Sequence, residues 1–194
     1  MDSLKKKYSA PALDKGLDIL ELLAHSSVGL TQAEIAKGLN RVPNEVYRML
    51  TTLLDRNYIC GNATGDRYSL SLKLLSLANL HPPRRRLLEI AEPLMKQASR
   101  QSEQSCQLAV WENGRVIINA SVPAFGNWQF SIRVGASLGL YNTASGLILA
   151  AFQSDGLRKQ MIADCQLAAG ETAIEDKEFS KLLDDIKHQS FYQG

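Results

Sequence analysis

The segment from residue 31 to residue 70 constrains the fold of this chain more than any other. Its first four residues, TQAE at positions 31–34, form a capping box, in which a threonine hydroxyl and a glutamate carboxylate each bond a free amide at a helix start. Pro43 suits the first turn of a second helix. Strand-like segments at residues 58–60 and 67–70 flank a turn-rich stretch, which predicts a β-hairpin.

A further helix is predicted before the capping box. Its apolar residues, Leu13, Leu17, Leu20 and Ala24, follow the spacing of one helical stripe. Three helices followed by a hairpin within about 60 residues is the layout of a winged helix-turn-helix. We expect its core to contain Leu17, Leu20, Ile35, Val46, Leu50 and Leu53.

The remaining pattern predicts a second domain that mixes helices and strands. Residues 71–80 have a helical pattern, which the sequence HPP at residues 81–83 ends. The predicted later helices lie at residues 84–101, 143–152, 157–163 and 176–187. The predicted strands lie at residues 106–111, 115–120 and 129–134, the first two joined by an Asn-Gly turn. The first of these helices is expected to turn Leu87, Leu88, Ala91, Leu94, Met95 and Ala98 inward.

We therefore predict an α+β protein with three parts. Residues 8–72 form the winged helix-turn-helix, residues 73–83 a linker helix, and residues 84–194 an α/β domain.

Composition excludes more than it identifies. The net charge is only +2, so bulk charge does not point to nucleic acid. Three separated cysteines favour a reducing cytosol and disfavour a disulfide framework or a zinc site. There is no apolar run of bilayer length, no secretory signal and no catalytic or phosphate-binding motif. The prediction is a cytoplasmic protein that is not an enzyme and has no metal, cofactor or membrane partner.

Seven short segments carry a resemblance to a known family. They are LDKGLDIL at 13–20, LTQAEIA at 30–36, VYRMLTTL at 46–53, RYSL at 67–70, GRVI at 114–117, RVG at 133–135 and TASG at 143–146. In this order and spacing the sequence resembles the isocitrate lyase regulator (IclR) family of bacterial transcription factors. The resemblance implies a DNA-binding homodimer or homotetramer. It also implies a GAF-like C-terminal domain that binds a small organic acid or a sugar-derived metabolite.

The sequence departs from the family pattern at three places. Asn44 and Glu45 replace a common Ser/Thr pair, and Leu147 replaces a lysine. Relatives usually continue beyond residue 194 with strands and a helix that form much of the effector pocket. We therefore expect the effector domain of this chain to be incomplete, to bind effector poorly and to self-associate through an open sheet edge.

The predicted DNA contacts lie on the helix-turn-helix and the wing. They are Thr31, Gln32, Asn44, Glu45, Tyr47, Arg48, Thr51, Thr52 and Arg67. Arg48 could bond guanine, Asn44 adenine, and Glu45 a cytosine amine in the major groove of a pseudopalindromic operator. Alternatively, the recognition face is only solvated, with Glu45 paired to Arg48. Thr31 could be only a helix cap, and the wing an ordinary exposed hairpin.

The predicted effector contacts are Tyr141, Asn142, Thr143, Ser145 and Trp128. Small and hydroxyl residues at a helix start can hold a carboxylate. The alternatives are a helix cap beside a packed glycine for the first four, and a place in the core or an interface for the tryptophan.

Three functions fit these patterns. The first is a transcriptional repressor or activator, in which effector binding shifts the spacing of two winged helices. The second is a small-molecule enzyme with an accessory winged helix. The third is a winged helix that binds proteins rather than DNA.

Overall fold

The computed structural model of the chain describes residues 10–126 and 130–193. The chain divides into two compact units, with the boundary between Arg85 and Arg86. The helices are α1 (Pro11–Ala24), α2 (Gln32–Gly38), α3 (Pro43–Asp55), α4 (Lys73–Leu80), α5 (Pro82–Ser102), α6 (Ala144–Ala151), α7 (Asp155–Asp164) and α8 (Asp176–Gln189). The strands are β1 (Leu30–Thr31), β2 (Ile59–Gly61), β3 (Arg67–Leu70), β4 (Cys106–Glu112), β5 (Arg115–Val122) and β6 (Ser137–Leu138).

The first unit is a winged helix-turn-helix, as predicted. Thr31 caps α2, and both bonds of the capping box with Glu34 are present. Pro43 is the first residue of α3. Strands β2 and β3 form the antiparallel wing, and β1 pairs with the other edge of β3. This arrangement leaves one long face of α3 open beside the wing.

The core of the first unit corrects the predicted burial of α1. Ile19 and Leu23 are buried, whereas Leu13 and Leu17 are 62% and 47% exposed. Helix α1 carries two apolar stripes, and periodicity does not show which of them meets α2 and α3. The remaining buried residues are Ile35, Ala36, Val46, Leu50 and Ile59.

The second unit contains an antiparallel sheet in the order β4-β5-β6. Asn113 and Gly114 have φ values of 49° and 80°, the left-handed conformation of a tight two-residue hairpin turn, as predicted. The predicted strand at residues 129–134 is wrong for the described part of that segment. Instead, the chain makes two backbone hydrogen bonds to Ile118 through Gly135 and Ala136, and β6 then pairs with β5.

Alternate residues of β5 form the buried face of this sheet. Val116 packs into a cluster with α6, α7 and α8, whereas Ala120 and Val122 pack against Met95 of α5. The predicted inward stripe of α5 is partly wrong. Leu94 is 62% exposed, while Ser99 is fully buried and donates to the Pro123 carbonyl at 2.9 Å; Leu87 and Ala98 are exposed as well.

The fold is α+β, as the sequence predicts. Among the described residues, every helix is too short or too polar to cross a lipid bilayer.

Candidate DNA-binding face and effector site

Helix α3 is held in place by its apolar side and exposes its polar side. Val46 and Leu50 are each 1% exposed and pack into the core. Asn44, Tyr47, Arg48, Thr51 and Thr52 are all exposed. The first four recur at intervals of three or four residues, so they share one face of the helix.

Arg48 is the free cation of this face. Its guanidinium has no hydrogen-bond or ion-pair partner among the residues that the structure describes. The hydroxyls of Thr51 and Thr52 donate to the carbonyls of Tyr47 and Arg48 one turn earlier, each at 3.1 Å. The face therefore offers an uncommitted guanidinium, an exposed tyrosine and an exposed amide to a ligand.

Glu45 pairs with a cation that sequence analysis did not foresee, and its predicted contact with a cytosine amine stays a prediction. Its carboxylate lies 2.9 Å from Lys15 Nζ of α1, and no pair with Arg48 forms. The hydrogen bond and the charge of Lys15 hold the pKa of Glu45 below its usual range. Lys15 was not predicted as a site residue, because this pairing joins residues 30 positions apart and leaves no local pattern in the sequence.

Thr31 and Gln32 have structural partners inside the helix-turn-helix. The Thr31 hydroxyl accepts from the Glu34 amide at 3.2 Å, so the capping role is present. The Gln32 side-chain amide donates to the Pro43 carbonyl at 3.0 Å, which ties the start of α2 to the start of α3. Phosphate contact by either residue stays a prediction.

Arg67 anchors the wing to the helices. Its guanidinium donates to the Gly29 carbonyl at 2.6 Å and lies 3.2 Å from the Glu34 carboxylate. Bonds to Thr31, together with the charge of Arg67, lower the pKa of Glu34. The wing loop is ordered by Asn62, whose side-chain oxygen accepts from the amides of Asp66 and Arg67, both at 3.1 Å.

The predicted effector segment forms a tight turn at the start of α6. The Thr143 hydroxyl donates to the Gly139 carbonyl at 2.6 Å and accepts from the Gly146 amide at 3.1 Å. Asn142 is exposed and Ser145 is half-buried. The structure brings four of the five predicted contacts together here, and Trp128 lies outside the described residues.

A buried carboxylate occupies the inner side of this turn. Glu171 is 8% exposed and accepts from the amides of Tyr141 and Ala168, both at 2.6 Å. The Tyr141 ring packs against Phe179, with ring centroids 4.7 Å apart, and burial raises the pKa of its hydroxyl. Sequence analysis missed Glu171, because its acceptor role depends on an amide 30 residues away.

The described residues contain no cluster of three or more histidines, cysteines or carboxylates able to hold a metal ion. Cys165 lies near the turn, and burial, followed by the nearby Glu171, raises the pKa of its thiol.

Comparison with known families decides what this arrangement is. The IclR helix-turn-helix domain matches residues 12–60, and the C-terminal domain of the bacterial transcriptional regulator IclR matches residues 83–192. The chain belongs to the IclR family. Membership confirms the predicted resemblance and the general function, a DNA-binding transcriptional regulator with a C-terminal effector domain.

Individual relatives are distant but match along most of the chain. Identity is 23% over 190 residues with the HTH-type transcriptional regulator KdgR of Escherichia coli, covering 96% of this chain and 72% of that protein. Identity is 26% over 184 residues with the glycerol operon regulatory protein of Streptomyces coelicolor, covering 93% and 71%. These named regulators favour the transcription-factor hypothesis over the enzyme and the protein-binding module.

A solved structure gives the same fold. An IclR homolog of Microbacterium hydrocarbonoxydans, complexed with 4-hydroxybenzoate, matches with a TM-score of 0.73 and 20% identity. The match covers 92% of this chain and 74% of that chain.

Proposed function

We propose that this IclR-family protein binds a pseudopalindromic operator as a dimer and releases or tightens it when a small carboxylic acid binds. The observation that carries the proposal is the exposed face of α3, on which Arg48 has no partner among the described residues. Arg48 bonds guanine and Asn44 adenine, while Tyr47 and Thr51 make apolar contacts in the groove. Residues 8–72 act as the DNA-binding domain, 73–83 as the linker and 84–194 as the sensor.

The operator itself provides the first test. Sequencing of genomic fragments selected by the purified protein is expected to yield two inverted half-sites with centres about 34 Å apart, or a multiple of that distance. Binding that competitor DNA abolishes equally for all sequences would contradict the proposal. Repeating the titration with 4-hydroxybenzoate and with aliphatic acids tests the sensor.

The effector site is proposed at the turn before α6, on two grounds. Asn142 and Ser145 are accessible there beside the helix start, and a relative of the same fold has been solved with a carboxylic acid. Tyr141 and Thr143 then shape the turn. Glu171 already binds the Tyr141 amide, so an effector carboxylate must bind on the outer side or displace it.

A dimer needs a surface, and the described residues of the first unit leave an apolar one uncovered by one another. Helix α4 has no buried residue, and Leu75 and Leu80 are 56% and 68% exposed. A groove of about 530 Å³ beside it is lined mainly by apolar residues, including Leu13, Leu17 and Leu77. Monomeric proteins rarely leave such contiguous apolar surface in water. We propose that the α4 helices and these grooves of two copies pack together.

Replacing Leu75 and Leu80 together with glutamine is expected to weaken dimerisation by about tenfold or more, since apolar anchors dominate interface energies. Operator affinity falls with it, while the monomer keeps its fold because both side chains are exposed. Sedimentation velocity against protein concentration measures the change. Leu157→Gln in α7, 53% exposed, is the control. An unchanged dimer in the double variant would show that the copies pair elsewhere.

A further inference from the structure

Two glutamates lie near the start of α3, and each is paired with a cation from another element. Glu45 of α3 lies 2.9 Å from Lys15 of α1, and Glu34 of α2 lies 3.2 Å from Arg67 of β3. The Gln32 bond to the Pro43 carbonyl brings the beginnings of α2 and α3 together. Both ion pairs therefore lie near the start of α3, the helix that carries Arg48.

We infer that Glu34 and Glu45 determine operator specificity without contacting bases, by holding Arg67 and Lys15 away from the phosphates of any other DNA. The inference rests on the proposed function, because it requires the α3 face to meet a duplex. Non-specific DNA binding comes almost entirely from Lys and Arg contacts to phosphate. A carboxylate that pairs with such a cation also repels phosphate itself. It therefore weakens non-specific binding more than operator binding.

The carboxylates are suited to this role because they remain charged. The pKa values of both are held below the usual range, Glu34 mainly by bonds to Thr31 and Glu45 mainly by Lys15. Both pairs are also solvent-accessible, with side-chain exposures of 23–47%, so a phosphate can compete for the cations. Exposed ion pairs of this kind are worth about 1 kcal/mol or less, which makes exchange of partners feasible.

The cations near this face differ in how they are held. Lys15 has the Glu45 carboxylate as its ion-pair partner at 2.9 Å, so losing that carboxylate frees it for a phosphate. Arg67 keeps its bond to the Gly29 carbonyl when Glu34 is replaced, so it loses only the neutralising carboxylate. Arg48 has no partner among the described residues. The face thus combines one unpaired cation for base contact with two cations that carboxylates restrain.

In the operator complex, base contacts fix the position of the protein along the duplex, so a freed cation adds little affinity there. On other DNA the protein can shift until the cation meets a phosphate. We therefore expect Glu34→Gln and Glu45→Gln to raise affinity for non-operator duplex more than for operator. Each freed cation adds about one phosphate contact per protomer, hence about two per dimer, and each contact steepens the slope of log affinity against log salt by about 0.9. Between 50 and 200 mM salt, each added contact makes the loss of affinity about 3- to 4-fold larger. Fluorescence anisotropy titrations on both duplexes across this range measure the change.

Controls separate charge release from altered folding. Gln can replace Glu in a capping box, so Glu34→Gln keeps the start of α2, which thermal denaturation checks. Glu21→Gln removes the same charge from an exposed position of α1 that has no ion pair among the described residues. Adding Lys15→Gln to Glu45→Gln should cancel the gain, since the freed cation is then absent.

Two results would overturn the inference. One is a salt slope on non-operator DNA that changes no more than in Glu21→Gln. The other is an equal gain on operator and non-operator duplexes, which would leave specificity untouched. Failure of the proposed function looks different: the wild-type protein would bind all duplexes alike, while the slopes of the glutamine variants would still report whether the carboxylates restrain the cations.

Discussion

Arg48→Ala is expected to lower operator affinity by about 1–3 kcal/mol, roughly 5- to 150-fold, because a bidentate contact to guanine contributes that much discrimination. The side chain is exposed and unpaired within the described residues, so its removal leaves no buried partner unsatisfied. Folding stability should therefore stay within about 0.5 kcal/mol of the wild type. Anisotropy titrations against operator and scrambled duplex measure the loss.

Arg48→Lys is the matched variant. It keeps the charge and a similar length but cannot form two parallel bonds to one base. If Arg48 reads guanine, the lysine variant loses operator preference while retaining affinity for scrambled DNA. If both variants lose affinity equally on both duplexes, Arg48 binds phosphate only. Unchanged operator affinity in the alanine variant would contradict the assignment of this face to DNA.

Gly146→Ala is expected to destabilise the second unit by about 2–4 kcal/mol, at the upper end of overpacking effects. A Cβ at this position would lie 2.4 Å from the Leu140 carbonyl oxygen and 2.5 Å from that of Gly139. Both are backbone atoms of the turn that Thr143 and Glu171 hold, so neither can move aside without breaking those bonds. Calorimetry should show that the midpoint temperature of thermal unfolding of this unit falls by roughly 10 °C or more.

Gly156→Ala is the control for that substitution. Gly156 lies in α7, and a Cβ there has no atom within 4 Å. Alanine in an open helical position should stabilise by about 0.5–1 kcal/mol. Equal stability changes at Gly146 and Gly156 would show that the turn before α6 is not tightly packed. The response of operator binding to 4-hydroxybenzoate in Gly146→Ala then tests whether the turn also matters to the sensor.

A self-association surface on the second domain stays a prediction. The dimer surface proposed above lies instead on α1 and α4. The double variant Leu75→Gln and Leu80→Gln distinguishes these two surfaces. It should abolish association through the first unit and leave association through the second domain intact.

Local chemistry determined much of this protein in advance. The capping box at Thr31, Pro43 at the start of α3, and the Asn113-Gly114 turn each act within a few residues, so the sequence alone predicts the helix-turn-helix, the wing and the first hairpin. The exposed position of Arg48 also follows from the sequence, because burying Val46 and Leu50 orients the whole helix.

Tertiary structure decided what periodicity leaves open. Helix α1 has two apolar stripes, and only packing against α2 and α3 selects Ile19 and Leu23 for the core and leaves Leu17 half exposed. The partners of charged groups are likewise set by the fold: Glu45 meets Lys15, and Glu171 meets the Tyr141 amide, each across 30 positions of the chain. Charge attraction and hydrogen bonding act over a few ångströms in space, whereas a sequence pattern records only neighbours along the chain.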